Sequence, residues 1–127
     1  MKLALIDADC AVYAMTGQHL PLRVRLEARE PGSVVISAVN FAEILLGSAN
    51  GKLPPMEVLN AFIDVIPLLP FDEAAARAYA TLPFRRGRFD RLLAAHALSL
   101  DAIVITNNEA DFADIPGLRV ENWTLPL

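Results

Sequence analysis

DRLLAAHALSLDAIVITNN, residues 90–108, carries a helical stretch, a strand and the polar residues that follow the strand, and its reading decides the fold. Leu93, Ala94 and Ala97 share a helix face with Asp90, and the stretch is apolar nearly all round, the pattern of a buried helix. AIVIT is short, aliphatic and β-branched, as a buried strand is, and it ends in Thr106, Asn107 and Asn108. The same alternation extends in both directions. LALID (3–7), SVVIS (33–37), VIPLLP (65–70) and LRVEN (118–122) read as strands. Between them lie helix-length segments: residues 37–51 with Ser37 as N-cap, residues 54–65 opening on proline, and residues 72–82 with Asp72 at the cap. Strands alternating with such helices predict βαβ units, hence an α/β fold with a mostly parallel central sheet in a three-layer α/β/α sandwich. No linker divides residues 1–127, so one domain is expected.

The composition agrees. Of 127 residues, 54% are hydrophobic, ample for a core. Charged residues or proline interrupt every apolar stretch, and Asp7 and Asp9 break the N-terminal one, so neither a membrane span nor a signal peptide is expected and a cytoplasmic location is. Cys10 is the only cysteine, which excludes an intrachain disulfide and a cysteine-based zinc site. The net charge of −4 argues mildly against a simple nucleic-acid-binding module, but the arginines are clustered: Arg85, Arg86, Arg88 and Arg91 form one group, Arg23, Arg25 and Arg29 another. The plain reading of both groups is a solvated helix face.

Open parallel sheets bind ligands beyond the carboxyl ends of their strands, at a topological switch point. Asp7 ends the first strand and Asn108 follows the AIVI strand, so these residues share one rim if both strands are central. Glu43 lies mid-helix among Val39, Asn40, Leu46 and Gly47, a face that is not fully polar. Each residue also has a plain structural use. Asp90 can serve as an N-cap, Glu43 as a half-exposed helix residue and Asn108 as a turn former. Asp9 is expected to cap the helix after the first strand, and Asp111 and Asp114 read as solvated loop acids or local caps.

Taken together, the acids point to chemistry. Two unit charges about 4 Å apart repel by roughly 4 kcal/mol near a protein surface, so carboxylates gathered in one pocket hold protons or a cation. All-oxygen donors select Mg²⁺ or Mn²⁺ over zinc. His19 and His96 have no partner at ligand spacing, and His96 on an apolar helix reads as a core or dimer-facing histidine. A cation held by Asp7, Glu43 and Asp90 suits activation of a water against a phosphodiester, with the arginines beside Asp90 meeting the nucleic-acid backbone.

LIDAD, ISAVNFAEILLG, DRLLAAHALSLDAIVITNN and DFADIPGLRVENW, in that order along nearly the whole chain, resemble the PIN-domain ribonucleases, specifically the VapC-type toxins of bacterial toxin–antitoxin pairs. The resemblance implies a Mg²⁺-dependent endoribonuclease acting on structured RNA such as tRNA or rRNA. It also implies a homodimer and a cognate VapB-type antitoxin whose tail blocks the active site. Carried over by motif, the catalytic set is Asp7, Glu43, Asp90 and Asn108. Asp7 and Asp90 hold the metal most directly, Glu43 binds it directly or through water, Asn108 completes the shell, and Thr106 helps hold the first acid. Arg85, Arg86, Arg88 and Arg91 are the candidate RNA contacts. The family often has Asp-Thr-Asn where this chain has Asp7, Ala8 and Asp9, and an acid where it has Asn108. Those two departures are what a catalytically impaired PIN-like module binding RNA or protein would show, and that is the alternative reading. The strand followed by Asp-Ala-Asp also matches the opening of the haloacid-dehalogenase-like phosphatases. Those need a downstream lysine, however, and neither Lys2 nor Lys52 is suitably placed.

Overall fold

The computed structural model describes residues 2–84 and 88–127. Five short strands, β1 (Ala4–Ile6), β2 (Val34–Ser37), β3 (Leu68–Leu69), β4 (Ile103–Ile105) and β5 (Arg119–Glu121), form one sheet in the order β3-β2-β1-β4-β5. Every pairing is parallel. Helices α1 (Ala8–Thr16), α2 (Leu20–Glu27), α3 (Ala38–Ala49), α4 (Met56–Val65), α5 (Glu73–Tyr79) and α6 (Arg88–Leu100) make the crossovers, with a 3₁₀ turn at Glu109–Phe112. All five expected strands are present, and every helix except α2, for which the sequence reading offers no cap, starts within two residues of its expected cap. Ser37 accepts from the Val39 N–H and Asp72 from the Ala75 N–H. The described helices are all too short or too polar to cross a membrane.

Strand periodicity divides the core into two layers. Ala4, Ile6, Val34, Ile36, Ile103 and Ile105 face α1 to α4, where Cys10, Ala11, Leu22, Ile44 and Leu59 cover them. Leu5, Val35 and Val104 face the other way, against Leu93, Ala94 and Ala97 of α6 and Phe112 and Ile115 beyond the 3₁₀ turn. The central strands therefore carry no polar face at all, and each buried aliphatic side chain contributes about 1.5–3 kcal/mol. Small residues on α6 let that helix lie close to the sheet. The order β3-β2-β1 runs outward in one direction and β4-β5 in the other, so the switch point falls between β1 and β4. Their register pairs Ile6 with Ile105, which sets Asp7 beside Thr106 at the carboxyl edge.

The arginines are placed differently from the expectation of two solvated faces. Arg91, expected at the RNA-contacting rim, is turned inward with its side chain 3% exposed, and its guanidinium takes both carboxylate oxygens of Asp114. Asp114 is accordingly an ion-pair partner rather than a solvated loop acid. Arg25 donates to the carbonyls of Trp123 and Pro126 at 3.0 and 3.2 Å. Arg29 donates to the Lys2 carbonyl and lies 5.5 Å from the centre of the buried Trp123 ring. These two side chains tie the C-terminal segment to α2, and only Arg23 fits a solvated face, paired with Glu27 one turn along. Arg85, Arg86 and the side chain of Arg88 lie outside the described residues.

Removing one partner of an inward-facing ion pair strands the other and is expensive, whereas exposed pairs contribute little. Arg91→Ala is expected to lower unfolding free energy by about 3 kcal/mol. Arg23→Ala should change it by less than about 0.5 kcal/mol. Urea unfolding of the two variants checks the contrast.

Candidate active site

Where β1 stops, the chain turns directly into α1, and Asp7 occupies the junction. Its backbone is extended (φ −75°, ψ 171°), and its Oδ1 accepts the Cys10 N–H at 2.8 Å. Asp7, and not Asp9, is thus the N-cap of α1. An N-cap must have non-helical backbone, which the residue closing a strand already has. Thr106, the residue after β4, hydrogen-bonds to the Asp7 carboxylate through its side chain and accepts the Asn108 N–H at 3.0 Å on its Oγ1. Asp7 is 6% exposed. Burial pushes its carboxyl up, and the bonds from Thr106 and Cys10 pull it back.

Two crossover helices bring the other acids to the same edge. α3 leaves the carboxyl end of β2, and Glu43 sits on its second turn with Asn40 one turn before it. The Asn40 Nδ2 donates to Glu43 Oε1 at 3.0 Å. Asn40 is 1% exposed and its Oδ1 is buried with no hydrogen-bond partner, a condition that costs about 1–3 kcal/mol. Asp90 stands in the first turn of α6. Burial, then the charge of Asp111, then those of Asp7 and Asp9 push its carboxyl up to about 6. Glu43 is also raised, by burial and then by Asp90, Asp9 and Asp7, against the bond from Asn40.

Asp7, Asp9, Glu43 and Asp90, with the amides Asn40 and Asn108, line one cavity of about 220 Å³. The structure thus brings together all four acids and amides expected to form the site, and adds three residues. Asp9 lines the cavity instead of capping a helix, Asp111 is the charged group nearest in effect to Asp90, and Asn40 holds Glu43. Asn40 had one readable signal, since a polar residue unfavourable inside a helix stands three positions before an acid. His96 belongs to the core. It is 2% exposed, its Nδ1 lies 2.8 Å from Ser37 Oγ, its ring meets Phe71 edge-on, and burial lowers its pKa.

The donors are oxygens only, and their mutual repulsion is the kind a hard divalent cation relieves. Among the described residues, no three His, Cys, Asp or Glu side chains stand close enough to enclose an ion. An ion in this cavity would therefore keep part of its water shell, as Mg²⁺ does when one or two carboxylates bind it. The residues fit that ion and do not fit a closed zinc site.

Residues 4–118 match the PIN domain, and the chain belongs to the PIN-domain family. Among its relatives, the tRNA(fMet)-specific endonuclease VapC of Shigella flexneri is 29% identical over an alignment covering 94% of this chain and 97% of that protein. Ribonuclease VapC2 of Rickettsia felis is 26% identical, with 94% and 96% covered. The structure of VapBC2 from Rickettsia felis bound to a DNA fragment from its promoter superposes with a TM-score of 0.84 at 26% identity. That match covers 95% of this chain and 98% of the other. DNA-bound VapBC from Salmonella typhimurium gives 0.80 at 27% identity, covering 97% and 99%.

The raised Asp90 pKa sets a pH dependence for the metal-free protein. Between the ordinary value of 3.8 and about 6 the folded state binds more protons than the unfolded state, so stability falls as pH rises through about 6. Asp7 and Glu43, also raised, act in the same direction. In EDTA the Tm is expected to drop between about pH 4 and 6. Asp90→Asn should flatten that drop and raise the Tm at pH 7, as thermal melts across the range would record.

Proposed function

We propose that this chain is a Mg²⁺-dependent endoribonuclease toxin of the VapC type, with Mn²⁺ able to substitute. In this reading it cuts structured RNA such as tRNA or rRNA, works as a homodimer, and is neutralised by a cognate VapB-type antitoxin. The observation that carries the proposal is the cavity at the switch point, which carboxylates from the β1–α1 junction, α1, α3 and α6 line together, with those of Glu43 and Asp90 raised by burial and then by the neighbouring charges. The relatives named as ribonucleases and as a tRNA(fMet)-specific endonuclease support the substrate class.

Asp7 and Asp90 are the residues to hold the cation, Asp7 being fixed by Cys10 and Thr106 before any ion arrives. When bound, the cation supplies positive charge to the phosphodiester and lowers the pKa of the attacking water. Glu43 has one oxygen engaged by Asn40 and keeps the other for a proton from that water, a task its raised pKa suits. Asn108 stands exposed at the rim with its backbone anchored on Thr106, where its side-chain amide can orient water or a phosphate oxygen.

The test is cleavage of total bacterial RNA by antitoxin-free protein in Mg²⁺ or EDTA, beside the Asp7→Asn/Asp90→Asn double variant. Discrete cuts are expected in Mg²⁺ only, reduced by about 10²-fold or more in the variant. Mg²⁺ at a hundred times its dissociation constant should stabilise the wild type, but not the variant, by about 2.7 kcal/mol. A folded protein that neither cuts RNA nor gains stability from Mg²⁺ would instead be a binding module that has lost catalysis.

A further inference from the structure

Asn40 is a misfit for its place. It lies inside α3, where asparagine is a poor helix former, and it is almost wholly buried at 1% exposure. Ile44, one turn further along α3, is the other buried residue of that helix, and a leucine of similar shape at position 40 would satisfy helix propensity better. Among the described residues its one side-chain hydrogen bond is the 3.0 Å donation from Nδ2 to Glu43 Oε1, and Oδ1 finds no partner there. Turning the amide over would set its carbonyl oxygen against the Glu43 carboxylate. The charge of Glu43 therefore fixes the orientation of the amide, and the orphaned oxygen is its consequence. A polar group kept at such cost has a use that packing does not explain.

We infer that Asn40 is a positioning residue for the reaction, one that holds the Glu43 carboxylate in a single orientation at the wall of the acidic cavity and acts only through it. The inference rests on the metal-dependent reading of that cavity. Glu43 is on a long side chain with three rotatable bonds, half-buried and repelled by Asp90, Asp9 and Asp7. Without a donor it would swing away from the other acids. Nδ2 holds Oε1 against that repulsion and leaves the second oxygen unclaimed by Asn40. Asp7 is held in the same way, by the Cys10 N–H and Thr106, so two of the acids carry dedicated donors.

The experiment is a double-mutant cycle on Asn40→Leu and Glu43→Gln, read first by thermal melts in EDTA and through a titration with Mn²⁺ alone. Asn40→Leu should melt in EDTA at or above the wild-type temperature, because it removes an orphaned buried acceptor. The Mn²⁺ concentration giving the half-maximal thermal shift should rise about tenfold in each single variant, and no further in the double variant. On tRNA, kcat should fall at least tenfold in Asn40→Leu with KM unchanged. Asn40→Asp keeps the shape while losing the donor, and should lose kcat equally, which covers the case in which leucine disturbs the fold. A wild-type Mn²⁺ midpoint in Asn40→Leu, or additive shifts in the double variant, would overturn the role of Asn40 whether or not RNA is cut. Tight Mn²⁺ binding without cleavage of any RNA would overturn the nuclease reading and leave the positioning of Glu43 standing.

Discussion

Four carboxylates directed at one small cavity repel one another, and much of this molecule can be understood as the framework that keeps them there. Any two unit charges brought to about 4 Å would be opposed by roughly 4 kcal/mol in a medium of intermediate polarity, and less at greater distance. A chain free to rearrange would swing the acids into water. Here the first is clamped at a strand end, another on a helix whose cap is buried in the sheet edge, and a third in the first turn of a helix packed flat on the sheet. The two-sided apolar core is what makes the clamps rigid. Strands with no polar face cannot slip in register without stranding their hydrogen bonds, so the switch point between β1 and β4 is fixed, and with it the separation of the acids.

The acids are not held alike. Asp7 receives a backbone N–H and a threonine hydroxyl, and Glu43 receives an amide. Asp90 has the favourable field of a helix N-terminus but a second carboxyl, Asp111, as its close partner, and its pKa is driven to about 6. Protons or a cation are bound most readily where the least compensation exists. That distribution makes Asp7 a fixed anchor and Asp90 the responsive member of the set.

Most of the architecture was readable because its signal is periodic. Aliphatic strands bounded by caps marked the five strands in order, and a rule about strand ends brought Asp7 and Asn108 to one rim, which Glu43 and Asp90 joined through their helix faces and the family resemblance. What escaped was whatever depends on direction rather than order. Asp9 and Asp7 are two residues apart, and only the backbone at the strand end decides which of them caps α1. Arg91 stands next to Asp90 in a run of basic residues, yet its helix position turns it toward Asp114, beyond the 3₁₀ turn and more than twenty residues along the chain. Arg25 and Arg29 look solvated until the C-terminal segment lies across them. Asn40 offered only its place in a helix three positions before an acid, while its meaning lies in a single hydrogen bond and a missing one.

The placement of the arginines changes the electrostatic problem that an RNA substrate would meet. Several cations of this acidic chain are committed internally or to neighbours: Arg25 and Arg29 to the C-terminal segment, Arg91 to Asp114, Arg23, Arg77 and Arg119 to glutamates, Lys2 to Asp101. With a net charge of −4 the long-range field of the chain opposes a polyanion. Attraction must then be local and short-ranged. In the proposed reading, a divalent cation in the acidic cavity would offset the carboxylate charge where the phosphate has to sit, so it would serve binding as well as chemistry. Ionised carboxylates that repel RNA would then help to hold the ion to which it attaches.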